Sequence, residues 1–76
     1  MNKNFEELWE EVWVKTKLPI EAKKHLPQSL SENTKQTMQR SNKSLDEMAI
    51  IINNAVEKIN NGSVKTLDLL IYEAFR

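Results

Sequence analysis

Apolar residues recur along the chain at helical spacing. Phe5, Leu8, Trp9, Val12 and Trp13 stand at i, i+3, i+4, i+7 and i+8, which lines one face of a helix from about Asn4 to Thr16. Glu6, Glu7, Glu10 and Glu11 all fall off that stripe. Asn4, with Glu7 three residues later, gives an N-cap signal, and Glu11 is spaced to pair with Lys15. Pro19 suits the first turn of a second helix, and Leu18 before it is pushed out of helical conformation. Pro27 predicts the end of that helix at about Leu26, so it is short. Ser29-Leu30-Ser31-Glu32 reads as a capping box opening a third helix to about Ser41. Its inner side holds only Leu30, Thr34, Thr37, Met38 and Ser41, so it depends on tertiary contacts more than the others do.

The strongest pattern lies between Ser44, whose partner Glu47 completes a further capping box, and Gly62, suited to the left-handed residue after a helix. Leu45, Met48, Ala49, Ile52, Ala55, Val56 and Ile59 fall within about 120° of a helical wheel, a core face. Ser63 reads as the cap of a last helix, Val64 to Phe75, with Val64, Leu67, Leu70, Ile71, Ala74 and Phe75 on its apolar side. A strand through Leu69-Leu70-Ile71-Tyr72 finds no partner elsewhere in the chain. The expected fold class is all-α: a small single-domain antiparallel bundle of four main helices plus one short helical turn, one domain over residues 1–76.

Composition narrows the functional classes. A single Gly among 76 residues excludes Gly-rich phosphate loops, and the absence of Cys excludes a disulfide framework or thiolate metal cage. Apolar burial of ~120 kcal/mol stands against ~115 kcal/mol of ordering entropy on general scaling, a thin margin that favours a partner or a second copy of the chain. The longest apolar run, Met48 to Ile52, is five residues, whereas a bilayer span needs about 20. With four glutamates near its start in place of a basic, then apolar leader, the chain is expected to be cytoplasmic.

Candidate chemistry is sparse. His25 is the only histidine, beside Lys23 and Lys24, and reads as a solvated residue. Glu6/Glu7 and Glu10/Glu11 lie on the polar side of an amphipathic helix, where nothing shifts a carboxyl toward acid–base work. Asp46, Glu47, Asp68 and Glu73 read the same way. No catalytic residue, cofactor, metal or small-molecule substrate is expected, and the protein is not expected to be an enzyme.

Charge is uneven although 11 basic and 11 acidic residues cancel. Residues 1–14 hold one Lys and four Glu, −3; residues 15–43 hold seven basic and two acidic residues, +5; residues 44–76 hold three and five, −2. A basic middle is a footprint for nucleic acid. Within it, residues 30–40, from Leu30 through Asn33, Lys35, Gln36 and Gln39 to Arg40, resemble the recognition helix of helix-turn-helix regulators, loosely of the LuxR-family response-regulator type. That resemblance implies a helix in the major groove, with Asn33, Lys35, Gln36, Gln39 and Arg40 as contacts to bases or phosphates.

The preferred expectation is a small helical protein–protein interaction module that modulates a larger partner, self-associates as a homo-oligomer, or both. Two apolar surfaces are its candidates. Phe5, Trp9 and Trp13 read first as core. Yet Trp9 and Trp13, one turn apart, offer more apolar area than so thin a domain normally needs, and Trp is enriched at binding hot spots, so some of this face is expected to meet a partner. Ile50 falls about 160° from the centre of the fourth helix's core face, with Ile51 nearer its edge. The DNA-binding regulator using residues 30–41 is the alternative.

Overall fold

A computed structural model describes residues 4–76. Those residues form five helices and no strand: α1 (Phe5–Trp13), α2 (Ile20–Gln28), α3 (Glu32–Arg40), α4 (Leu45–Asn60) and α5 (Leu67–Phe75). The fold is all-α, as the apolar spacing predicts. The second helix is not the short turn expected, however: at nine residues it equals α1, α3 and α5.

Local chemistry sets most of the helix boundaries. Asn4 Oδ1 accepts from the Glu7 N–H at 2.8 Å and starts α1. Ser44 Oγ accepts from the Glu47 N–H at 3.2 Å and donates to Glu47 Oε1 at 3.4 Å, starting α4 as its pattern predicts. At the start of α3 the cap is Ser31 rather than Ser29: Ser31 Oγ accepts from the Thr34 N–H at 3.2 Å, while Ser29 Oγ donates to the His25 carbonyl. After α4 the chain closes a Schellman turn. The Gly62 N–H reaches the Ile59 carbonyl at 3.1 Å and the Ser63 N–H reaches Lys58 at 3.0 Å, with Gly62 at φ 87° in the left-handed region.

That turn corrects the start of the last helix. Ser63 is occupied in closing α4, so the chain reverses through residues 63–66 before Thr66 caps α5 by accepting from the Leu69 N–H at 3.2 Å. Val64 therefore lies outside the helix and is wholly exposed, and Ala74 is exposed as well. Lys15, in the turn after α1, pairs with Asp46 of α4 at 3.1 Å, which ties the end of the first helix to the start of the fourth.

The principal helix contacts run α1–α3, α3–α5, α5–α4 and α4–α1, so four helices close a ring. Inside it lie Leu8 and Val12 of α1, Met38 of α3, Met48, Ala49, Ile52 and Ala55 of α4, and Ile71 and Phe75 of α5. The weak apolar face of α3 is in this centre: Met38 and Thr34 are among the most completely buried side chains. α2 is absent from the ring contacts and rides beside α1, sending Leu26 into the core.

Candidate functional site

Pro27 was expected to end α2, yet the helix continues through it to Gln28. A proline has no N–H, so the carbonyl of Lys23, four residues earlier, loses its helical partner. Trp9 replaces it: its indole Nε1–H donates to the Lys23 carbonyl at 2.9 Å. One bond thus satisfies the polar edge of a buried tryptophan and an orphaned helix carbonyl, and it fixes α2 against α1. The Lys23 side chain reinforces the same seam. Its Nζ meets Glu10 Oε1 at 2.7 Å and stands 5.0 Å from the Trp13 ring centroid.

These contacts leave a groove of about 530 Å³ along the α1–α2 side. Phe5, Trp9, Ile20 and Pro27 supply its apolar surface, and Ile20 is 55% exposed there. Phe5 stacks on Trp9 with ring planes 5° apart and centroids at 6.5 Å. Glu6, Glu7 and Glu10 border the groove from α1; Lys23 and Lys24 border it from α2. Lys35 of α3 borders it as well, and the Lys23–Glu10 pair links the acidic side of α1 to the basic side of α2 beside the aromatic floor.

The two tryptophans divide. Trp9 is 4% exposed, so nearly all of its area is used inside the chain and only a small part of it lines the groove. Trp13 is half-buried, and its Nε1 is covered without an acceptor among the described residues. The two isoleucines divide as well. Ile51 packs against the core, while Ile50 is 58% exposed on the outer side of α4, which it shares with Asp46, Asn54 and Glu57.

On α3, Asn33, Gln36 and Arg40 are exposed at i, i+3 and i+7 and form one outward stripe. Lys35 and Gln39 are half-buried to one side; Lys35 pairs with Glu32 at 3.8 Å and lies 5.4 Å from the Phe5 ring centroid. The neighbours of α3 in the ring are α1 and α5, so α2 and α3 lack the mutual packing that a helix-turn-helix pair uses.

Among the carboxylates, Asp68 has a role the sequence did not show. It lies in the first turn of α5 and accepts from the Ser31 N–H, at the start of α3, at 2.9 Å. Two helix N-termini therefore share one carboxylate. Burial by itself raises the Asp68 carboxyl, but hydrogen bonds from the Ser31 N–H and from the Thr34 and Ser31 hydroxyls outweigh it and hold the acid below its usual 3.8. These bonds also satisfy the buried Thr34, whose hydroxyl lies 3.1 Å from Ser31 Oγ. No group of three or more His, Asp or Glu among the described residues is placed to hold a metal ion. His25 is exposed.

Sequence reasoning missed Ile20, Lys23 and Pro27 as groove residues. A signal for the Trp9–Lys23 bond existed: a proline near a helix end frees the carbonyl four residues before it, and an indole N–H on an apolar face needs an acceptor. Compared with protein-family models, with curated proteins and with solved structures, the chain matches none. Its class is therefore defined by its own fold, a small all-α domain with an apolar groove on one side. No helix among the described residues is long and apolar enough to cross a membrane.

Proposed function

We propose that the protein is a small non-enzymatic interaction module that holds an amphipathic helix of a partner protein in the groove between α1 and α2. The groove itself supports this reading: a floor of Phe5, Trp9, Ile20 and Pro27 between edges of opposite charge. A helix docked there places apolar side chains at i, i+3/i+4 and i+7 on the floor. Its basic edge lies along Glu6, Glu7 and Glu10, and its acidic edge along Lys23 and Lys24. Apolar area removed from water supplies affinity, and the charged edges set the direction of the helix.

Ile20→Glu tests the reading, because the side chain is 55% exposed and its replacement removes floor without touching the core. Proteins cross-linked to the wild-type chain in cell extract should be lost with Ile20→Glu and recovered with Ile20→Leu. Ile50→Ala should retain them. Equal capture by Ile20→Glu and wild type contradicts the groove, and loss with Ile50→Ala instead moves the contact to the outer side of α4. Sedimentation of the same variants reads self-association, the rival occupant. Duplex binding that falls with salt and is lost in Arg40→Ala would favour the α3 stripe.

A further inference from the structure

The helices are not held alike, and α2 is held least. α1, α3, α4 and α5 each start on a side-chain cap, from Asn4, Ser31, Ser44 and Thr66, whereas α2 starts at Pro19 with none. α4 buries four side chains and α1 three; α2 buries Leu26 alone. The ring α1–α3–α5–α4 closes without α2. Both ends of α2 are nevertheless pinned to the ring. The Lys17 N–H reaches Asn53 Oδ1 of α4 at 3.3 Å before it, and the Ser31 N–H reaches Asp68 of α5 at 2.9 Å after it.

We propose that α2 undocks as a unit between those two pins while the four-helix ring stays folded, so that the groove exists only in the docked state. A nine-residue helix is marginal in water, so undocking is also local unfolding of residues 20–28. The docked state is held by Leu26, the Trp9 Nε1–H bond to the Lys23 carbonyl, and the Lys23 side chain on Glu10 and Trp13. Undocking uncovers that carbonyl and the Trp9 edge, and the polar groups released find water. A ligand that touches both α1 and α2 binds only the docked form and draws the equilibrium toward it. Undocking stands on the packing of the chain alone, whether or not the groove has a partner.

Hydrogen exchange on the purified protein under native conditions tests it, read at the α2 amides, at the Trp9 indole N–H and at the α4 amides around Ile52. The α2 amides and the Trp9 indole should exchange together, at least about 100-fold less protected than α4, with little dependence on low denaturant. Lys23→Ala should speed the α2 set by about fivefold and leave α4 unchanged. Equal protection and equal denaturant dependence for α2 and α4 would overturn the proposal, as would Lys23→Ala accelerating both alike. The interaction reading fails separately, through the capture experiment with Ile20→Glu.

Discussion

The α3–α5 seam and the α1–α2 seam are both polar links between helices, and they are built in opposite ways. At α3–α5 a single carboxylate, Asp68, receives hydrogen bonds at the N-terminus of one helix from within the first turn of another, beside the buried Thr34. At α1–α2 the link is one part-buried indole bond to a carbonyl that a proline has orphaned, with a partly exposed ion pair beside it. α3 and α5 each bury two side chains, Thr34 and Met38 on one and Ile71 and Phe75 on the other, whereas α2 buries Leu26 alone and an open groove flanks its seam. A polar bond holds a helix firmly when buried area accompanies it. Without that area it leaves a surface that can open.

The largest expected effect separates the two seams outright. Met38→Ala, at 0% exposure inside the ring, should cost about 2–5 kcal/mol and lower the single cooperative transition of the whole chain. Leu26→Ala should instead remove the helical signal of α2 before the main transition. Should both variants shift one common transition, the two seams would be equivalent.

Asp68→Asn comes next, at about 1 kcal/mol near neutral pH, discounted because the carboxylate is partly solvated. The pH dependence has a definite sign. Because the native value lies below the usual 3.8, the unfolded chain binds more protons in that window and stability rises with pH. The deficit of Asp68→Asn relative to wild type is full above the unfolded value and disappears as pH falls through the native one. Urea melts at pH 7, 4 and 2.5 read it.

Trp9→Phe keeps an aromatic ring but leaves the Lys23 carbonyl without its donor. A loss of about 1 kcal/mol is expected, concentrated on the exchange of α2. The smallest effect belongs to Val64→Ser, within about 0.5 kcal/mol, because that side chain is wholly exposed in the α4–α5 turn. Were Val64 on a helix facing the core, as its spacing alone indicates, the same change would cost several times more.

The two seams also differ in how far they could be read from sequence. The apolar stripe of α1, the face of α4 as far as Val56 and the Ser44–Glu47 cap were legible because helical periodicity and capping act over three or four residues, whereas Ile59, in the last turn of α4, is exposed. Asp68 reads as an ordinary surface acid until the fold brings it to Ser31, 37 residues away. Val64 has apolar spacing that a tertiary turn overrides. Pro27 reads locally as a helix terminator, but the Lys23 carbonyl it frees is satisfied from Trp9, 14 residues off in sequence. The groove was the least legible feature, since it depends on how α2 is placed across α1 and no local pattern encodes that.

Residue-resolved NMR during a urea titration tests the difference between the two seams most directly. The α2 amides and the Trp9 indole resonance should lose their native signals at lower urea than the amides of Ile52 and Ile71, which should disappear together. A single shared midpoint for all of them would contradict a ring that stands without α2.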